Sequence, residues 1–337
     1  MFKNLIVYRV GPEWSPEFNT AEEALNKARF TECGATQPQS SGWVEPRGHD
    51  HGPLIEIVGG QWLLALMVES KMLPTSVVKR RVQEKAQHIE ASTGRKPGRR
   101  ESKDLTEQAT LELLPQAFTK QGRVKVWIDP KVRLLMIDAG SAKRAEEVVT
   151  QLVKAWPGFA VLPLQTNLSP AVAMSAWLSE GTAPGAFGID RECELKSPDE
   201  MKSVVRYARH GLDTDDVRQH ITLGKVPTRL ALTWDGRVSF VLTETLQIKK
   251  IAFDDVVFES HKGSANHQDE AFDADAAIAT GELCKLIPDL IEALDGEMEP
   301  GAVPVTAAAP AASPAPRAAI APAMAAAGSE QESPPWE

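Results

Sequence analysis

Two acidic side chains lie where metal-dependent chemistry could take place. Asp129 and Asp138 end two β-rich runs, Arg123–Asp129 and Val132–Asp138, and Pro130-Lys131 between them predicts a hairpin. Carboxylates that face one another across a hairpin could hold a divalent cation, and a nuclease would add a third ligand and a lysine. A Mg²⁺-dependent nuclease that uses Asp129 and Asp138 is therefore one hypothesis. The acids on the next predicted helix are explained by solvent exposure.

The other candidate ligands and nucleophiles form no recognisable site. His49 and His51 lie in a Gly- and Pro-rich loop without a nearby cysteine, which is a poor arrangement for a metal. Cys33, Cys193 and Cys284 are far apart in the sequence, which argues against disulfides and structural zinc and fits a reducing cytoplasm. The phosphate-binding loop, GxGxxG, GxSxG and HExxH are absent from the sequence. Apart from the nuclease hypothesis, these residues therefore indicate no cofactor and no metal site.

Positive charge is concentrated in one stretch of an acidic chain. The 337 residues include 37 Lys or Arg and 46 Asp or Glu, for a net charge of −9. Residues 71–103 nevertheless carry ten basic and three acidic side chains, whereas residues 253–300 carry 13 acidic and two basic ones. The candidates for phosphate contacts are Lys79, Arg80, Arg81, Lys85, Arg95, Lys96, Arg99, Arg100 and Lys103. Such a run can bind a nucleic-acid backbone, and a solvated helix face is the alternative.

Two predicted helices and a loop position these cations. The periodicity predicts a helix from Thr75 or Ser76 to about Ala91, with a core-facing stripe formed by Val78, Val82, Ala86 and Ile89. The cations of this helix lie at the flanks of the stripe or opposite to it. A loop over residues 93–100 and a second helix, capped by Ser102 and ending near Leu114, carry the others.

The other predicted elements mix strands and helices without strict βαβ order. The predicted strands are Leu5–Val10, Gln61–Val68, Ala160–Gln165, Lys202–Arg209, and Thr228–Trp234 and Arg237–Thr243 around an Asp235-Gly236 turn. The predicted helices are Ala21–Ala28, Ala142–Trp156 after Ser141, Ser169–Glu180, Asp213–Gly224 and Phe272–Leu294. Several hairpins in this order favour an α+β fold over a doubly wound sheet.

The composition changes near Pro300. Residues 301–337 contain 14 Ala and 7 Pro, so they cannot bury enough apolar surface to offset chain entropy. We predict a folded region over 1–300 and a disordered tail over 301–337. The longest apolar run, Trp62–Val68, is far shorter than the roughly 20 residues that span a bilayer, and no signal peptide is evident. We expect an intracellular protein without a membrane partner.

Short motifs along the chain carry a resemblance to a known family. In order, they are Phe2-Lys3-Asn4-Leu5-Ile6-Val7-Tyr8-Arg9, Gly42-Trp43-Val44-x-Pro46, Leu113-Leu114-Pro115-x-Ala117-Phe118, Trp127-Ile128-Asp129, Ser141-Ala142-Lys143-x-Ala145-Glu146, Gly224-Lys225-Val226, Leu230-Ala231-Leu232-x-Trp234, Phe272-Asp273-Ala274-Asp275 and Thr280-Gly281-Glu282-Leu283. From residue 1 to about 297 the chain resembles the RdgC family of bacterial recombination-associated proteins. The Ala- and Pro-rich tail is not covered.

The resemblance implies a family-specific α+β fold with central, tip and base portions, assembled as a ring-shaped homodimer. The ring would enclose DNA in a positively charged hole and bind double- and single-stranded DNA with little sequence preference. The resemblance also implies association with the nucleoid, no enzymatic activity and restraint of RecA-promoted strand exchange. A ring would explain how an acidic protein binds DNA, because the duplex meets only its inner face.

Individual positions carry over from the same resemblance. The cations of residues 79–103 become candidates for the lining of the hole. Phe118 matches a Phe that plugs a pocket of the partner at one dimer contact, and an ordinary core Phe is the alternative from the residues alone. The position before Gly211-Leu212-Asp213 is associated with DNA in the family; here it is Arg209-His210, and His210 departs from the pattern.

A second class of function remains open. The protein could regulate recombination by touching the recombinase directly, through the acidic region 253–300 or the tail. DNA binding would then be secondary to a protein contact.

Overall fold

One antiparallel sheet of twelve strands runs through the molecule, and helices cover it. The computed structural model describes residues 2–15, 17–259 and 268–299, which belong to one unit over residues 1–307; residues 308–337, the other unit, are outside this part. The strands are β1 Leu5–Val10, β2 Gln39–Val44, β3 Glu56–Val58, β4 Gln61–Met72, β5 Phe118–Asp129, β6 Leu134–Asp138, β7 Val161–Pro163, β8 Phe187–Lys196, β9 Val204–Ala208, β10 Val226–Trp234, β11 Val238–Thr243 and β12 Ile248–Phe253.

Eight α-helices lie within the described ranges. They are α1 Phe18–Asn26, α2 Thr75–Thr93, α3 Arg99–Leu113, α4 Ala142–Ala155, α5 Pro170–Glu180, α6 Asp215–Thr222, α7 Asp255–Glu259 and α8 Gln268–Ala293. The mixture confirms the α+β prediction. A short 3₁₀ turn, Leu114–Gln116, joins α3 to β5.

The strands are ordered β2-β4-β5-β6-β1-β12-β11-β10-β8-β9, with β3 beside β4 and β7 beside β1. Every ladder between these strands is antiparallel, and β4 and β5 pair at eleven successive positions, from Trp62 opposite Ile128 to Met72 opposite Phe118. At the centre, β1 joins the two halves of the sheet by pairing with β6 on one side and β12 on the other.

Both faces of the first half of the sheet are buried. On β1, Leu5 and Val7 belong to one core while Ile6 and Tyr8 belong to another, as expected when successive side chains point to opposite faces. We call these the first and the second core. The second core packs under α1 and α4, where Ala145, Val148 and Leu152 form the buried stripe of α4.

The first core continues under the second half of the sheet. It joins β10, β11 and β12 to α5 and α8 through fully buried side chains such as Leu232, Leu242 and Leu283. Polar anchors fix α8 at the rim of this core. Arg237 donates two hydrogen bonds to the buried Glu282 at 2.6 and 2.8 Å, and Trp234 Nε1 donates to Asp289 at 2.8 Å.

Strongly patterned segments lie close to where the sequence places them. β1 is Leu5–Val10 as predicted, and Asp235 and Gly236 both have positive φ, as the tight β10–β11 turn requires. Asp213 was expected to cap α6, but the helix begins after Thr214, and Asp213 pairs with Arg218 instead. Ser141 is at the N-cap of α4 as predicted, without a side-chain hydrogen bond to the helix.

Three longer strands, β2, β8 and β12, were not predicted from the sequence. β2 carries only two large apolar residues, Trp43 and Val44, and its position is fixed by pairing with β4. Gly42 is required there because a Cβ atom would lie 2.4 Å from Cα of Phe30. Pro300 and the predicted tail over 301–337 lie outside the described residues, as do residues 260–267.

Truncation in the second core should destabilise the whole fold. Ile137 is completely buried between α4 and the sheet, so Ile137→Ala should lower the free energy of unfolding by about 2–5 kcal/mol. Val132→Ala, at a half-exposed turn position, should change it by less than about 0.5 kcal/mol. Urea unfolding followed by circular dichroism measures both. Equal midpoints for the two variants would contradict the two-faced core.

Candidate nucleic-acid interface

The predicted basic residues lie on a pair of helices at the end of the longest ladder. The first residues of β5 are exposed and its last four are buried, so the ladder extends beyond the layered part of the molecule. At that end, α2 and α3 connect β4 to β5. We call residues 75–113 the helical arm.

The arm folds because each helix has one apolar side. Val78 on α2 and Leu105 and Ala109 on α3 are buried where the helices pack together. Gly94 ends α2 in the left-handed conformation at φ 70°. The second helix begins at Arg99 rather than at Ser102, because Gly98 is its N-cap and Glu101 accepts the Gly98 N–H at 3.4 Å.

Six of the nine predicted cations of the arm are held in ion pairs. Glu112 bridges Arg81, at 3.2 Å, and Lys85; the other pairs are Arg81–Glu84, Arg80–Glu84, Arg95–Glu101, Lys96–Glu90 and Lys103–Glu107. Lys79, Arg99 and Arg100 have no such partner among the described residues. No carboxylate of the described protein therefore competes with an external anion for these three side chains.

The arm is less basic as a structural unit than the window 71–103. Over residues 75–113 there are nine basic and six acidic side chains, because α3 adds three acids beyond residue 103. Most of its pairs are solvent-exposed, so each contributes about 0–1 kcal/mol and yields readily to a competing anion. The arm can thus exchange internal carboxylates for phosphates.

The ion pairs shift the titration of the carboxylates involved. A hydrogen bond from Lys85, supported by Arg81, lowers the pKa of Glu112, and a hydrogen bond from Arg95 lowers the pKa of Glu101. The hydrogen bonds to Glu84 and Glu112 raise the pKa of Arg81. These shifts favour the charged forms of Glu112, Glu101 and Arg81.

The other predicted DNA-contacting pair, Arg209-His210, follows β9. Arg209 has φ 56°, in the left-handed region, and both side chains are exposed. The N–H of His210 donates to the carbonyl of Arg191 at 3.1 Å, which holds the turn against β8. Its imidazole Nδ1 lies 2.6 Å from the carbonyl of Gly211, so Nδ1 carries the proton in that contact.

The two cationic sites are not brought together within one chain. The arm leaves β4 and β5 near one end of the sheet, and β9 is the last strand at the other end. Seven strand-to-strand steps separate β5 from β9, roughly 33 Å along the sheet. A single ligand that touched both would have to extend over most of the sheet.

Phe118 is outside the protein core. It is the first residue of β5, 82% exposed, and directly opposite Met72, which is 49% exposed. The alternative of an ordinary core Phe is therefore wrong. An apolar pair at the exposed end of a ladder fits an interface anchor, and its role in a dimer stays a prediction.

Sequence reasoning missed several cations that the sheet presents. Arg123 and Lys125 alternate on one face of β5, and Arg191 projects beside His210. A period-two pattern of cations in a strand is the signal that could have found the first two. Lys71, which contributed to the basic window, is instead structural, because its ammonium donates to the carbonyls of Ala35 and Leu114.

The two candidate nuclease carboxylates do not face one another. Asp129 is opposite Leu134, and Asp138 is four residues farther along β6, so they lie about 13 Å apart along the strands. Each carboxylate accepts backbone hydrogen bonds that stabilise the fold. Asp129 accepts the N–H groups of Lys131 and Val132, and Asp138 accepts the N–H group of Asn4. The hairpin was predicted correctly, but the metal site built on it was wrong.

The remaining groups considered for catalysis are dispersed. Within residues 2–15, 17–259 and 268–299, no three His, Cys, Asp or Glu side chains form a group that could hold a metal ion. The three cysteines are free thiols. Burial raises the pKa of Cys193 to about 12, and burial beside Asp129 raises that of Cys284 to about 12, so both are protonated at neutral pH.

Comparison with known proteins gives one consistent family. A family model described as "Putative exonuclease, RdgC" matches residues 1–297. The recombination-associated protein RdgC of Dechloromonas aromatica is 46% identical over 300 residues, and that of Cupriavidus necator is 47% identical over 296. The protein of the same name from Bordetella pertussis is 42% identical over 296 residues. Each alignment covers 88% of this chain and 98% of the relative.

No helix of the described part is both long and apolar enough to cross a membrane.

The pairing of Glu112 predicts how the arm responds to acid. A lowered pKa in the folded arm means that the pair stabilises it above the ordinary carboxylate pKa of about 4.3, and that this stabilisation is lost as pH falls through the lowered value. Side-chain carboxyl NMR should place the midpoint of Glu112 below that ordinary value. Lys85→Ala should return it upward, whereas Lys103→Ala should not. An unchanged midpoint in Lys85→Ala would contradict the pairing.

Proposed function

The chain belongs to the RdgC family, and on that basis we propose that it binds double- and single-stranded DNA with little sequence preference as a ring-shaped homodimer. By occupying DNA on the nucleoid in the cytoplasm, the ring would limit RecA-promoted strand exchange without turning over a substrate. The relatives' names place the family in recombination. The observation that carries the DNA mechanism is the helical arm with its exposed cations.

The arm suits a phosphate backbone better than a base edge. Its cations are long side chains on exposed helix surfaces, and three of them have no internal partner among the described residues. Phosphate contacts of this kind position a protein on nucleic acid without reading sequence. Each neutralised phosphate also releases counterions, so binding should depend steeply on salt.

A closed ring needs two self-complementary contacts, one on each side of the hole. Phe118 supports one of them, because an exposed aromatic side chain at the end of a rigid ladder can enter a pocket of a second copy. The strand β9, at the other end of the sheet, has one side of its backbone unpaired by any other strand described. Val204, the first residue of β9, and Met201, three residues before it, are exposed apolar side chains. These surfaces are at opposite ends of the protomer, as a ring requires.

Two other mechanisms are distinguished by the outcome of the same experiments. An exonuclease, as in the wording of the family model, would consume an end-labelled duplex in Mg²⁺ and stop when EDTA is added. A regulator that contacts the recombinase directly would inhibit in the presence of excess DNA. Part of the acidic region 253–300 is already engaged internally, since Glu282 pairs with Arg237 and Asp273 with Arg47.

The first test is binding of a 60-mer duplex and of its single strand over a salt series, with the mass of the protein recorded in the same buffer. A dimer that binds both the duplex and the single strand supports the ring, if the logarithm of the binding constant falls with the logarithm of the salt concentration at a slope of several units. Absence of binding at low salt would overturn the DNA-occupancy mechanism. Release of the end label in Mg²⁺ would show that the protein degrades DNA, and would overturn the proposal that it acts without turning over a substrate.

Removing the three unpaired cations should weaken binding to all DNA sequences equally. For Lys79→Ala, Arg99→Ala and Arg100→Ala combined, the magnitude of the salt slope should fall by about three, about one per cation. A matched control removes three exposed lysines elsewhere, Lys27, Lys131 and Lys154, and thus the same charge. Equal loss in both triple variants would show that net charge, and not the arm, controls affinity.

Phe118→Ala should weaken self-association without unfolding the protomer, because the side chain is exposed. If Phe118 anchors a dimer contact, its truncation costs about 2 kcal/mol or more, or about 30-fold in the dimer dissociation constant. Sedimentation equilibrium measures this, and Leu111→Ala, at another exposed apolar position, is the control. An unchanged monomer–dimer equilibrium in Phe118→Ala would remove Phe118 from the interface.

A further inference from the structure

A cavity of about 270 Å³ lies beside the Arg209-His210 turn. It is formed where the end of α5, the middle of β8 and the segment before α6 meet. Leu178, Ile189 and Leu212 line it with apolar surface, and Asp190 and Asp213 add carboxylates. Neither the arm nor the proposed dimer contact uses this cavity.

The carboxylates at the cavity have unused acceptor capacity. Asp213 Oδ1 is engaged by Arg218, and Asp190 Oδ1 accepts the N–H of Arg191 at 2.7 Å. The second oxygen of each accepts no hydrogen bond from a residue that the structure describes. An ionised carboxylate only accepts hydrogen bonds, so the complementary ligand must bring N–H or O–H donors.

Cations and aromatic rings lie beside the cavity, and of these side chains Arg191 alone is part of its described lining. Arg191 lines it, and Gly211, which also lines it, follows directly after Arg209 and His210. The ring of His210 is fixed by its contact with the Gly211 carbonyl, and the ring of Tyr207 lies 5.6 Å away between centroids. Cations beside a flat ring favour a phosphate and a neighbouring base, which is the arrangement of single-strand binding surfaces.

We propose that this cavity binds one unpaired nucleobase of single-stranded DNA, and that it prefers cytosine, adenine or guanine, which carry an exocyclic amino group, over thymine, which does not. The apolar walls contact the faces of the base, as in pockets that hold an extruded base. Asp190 and Asp213 accept from the amino group, while Arg191 and Arg209 contact the flanking phosphates. Thymine presents carbonyl oxygen where cytosine presents N–H donors, and a carboxylate repels it.

This inference rests on the proposed function, because it assigns a base-binding subsite to the Arg209-His210 end of a DNA-binding protomer. One such subsite adds a modest base preference to binding that otherwise depends on the phosphate backbone. The cavity should bind single-stranded DNA and not duplex DNA, because the Watson–Crick edge and both faces of a paired base are covered inside the duplex. The cations of the arm, which contact backbone alone, would serve both forms of DNA.

The test compares oligonucleotides of 30 cytosines and 30 thymines, because both are pyrimidines that stack weakly on themselves. Unaltered protein should bind the cytosine strand about five- to tenfold more tightly at fixed salt, as expected for one good contact to a base. Asp190→Ala should bring the ratio close to one. The ratio is diagnostic because loss of a negative charge raises the affinity for both strands.

Two further variants test whether the cavity itself causes the preference. Ile189→Trp, which fills the cavity from a half-buried position, should also abolish the preference, with folding checked by circular dichroism. Asp216→Ala, which removes an exposed carboxylate of α6 that does not line the cavity, should retain it.

The possible outcomes separate this inference from the proposed function. Equal binding of the two strands by the unaltered protein, with duplex still bound, would overturn the base site and leave the ring mechanism standing. A preference that persists in both Asp190→Ala and Ile189→Trp would overturn it as well. No binding of any DNA at low salt would overturn the proposed function itself.

Discussion

Burial of both faces of β4, β5, β6 and β1 is the constraint on which the rest of this structure depends. Apolar side chains alternate between the two cores, so a slip of one residue in any of these strands would move every side chain to the wrong core. The register is therefore fixed from both sides. The ladder of eleven residue pairs between β4 and β5 extends that fixed register beyond the layers and gives the arm a rigid base.

The same constraint sorts the polar groups of the protein. Charged side chains cannot enter a sheet covered on both faces unless they are paired, so the cations are left to the arm, to the exposed strand ends and to the turn after β9. Acidic side chains fill structural roles at the borders of the cores, as Glu282 does with Arg237 and Asp129 does at the β5–β6 turn. An acidic total is thus compatible with a local cationic surface, because the arm carries nine basic and only six acidic side chains.

The two exposed regions proposed to bind DNA or a second copy lie at opposite ends of the sheet. The arm and Phe118 lie beyond one end, and β9 with its cationic turn lies at the other, with the layered centre between them. Neither end can reach the other inside one chain. In a twofold dimer each end of one copy would meet the same end of the second copy, so the separation within the protomer becomes the width of the assembly.

The sequence by itself determined the elements whose local signals are strong and consistent. The alternation of Leu5–Val10, the turn residues Asp235-Gly236 and the apolar stripe from Val78 to Ile89 each specify a conformation within a few residues. Boundaries and weak strands such as β2 escaped prediction, because a partner strand holds them and their own side chains do not.

Only the tertiary structure decided which candidate residues are available for function. Glu112 is 27 residues from Lys85 in sequence but bridges it to Arg81, which leaves Lys79, Arg99 and Arg100 as the unpaired cations of the described arm. Asp129 and Asp138 are separated by the register of their own hairpin, and Phe118 is exposed because the ladder continues past the cores. These outcomes depend on contacts between residues that are distant in the sequence, and the local sequence around each residue does not specify such contacts.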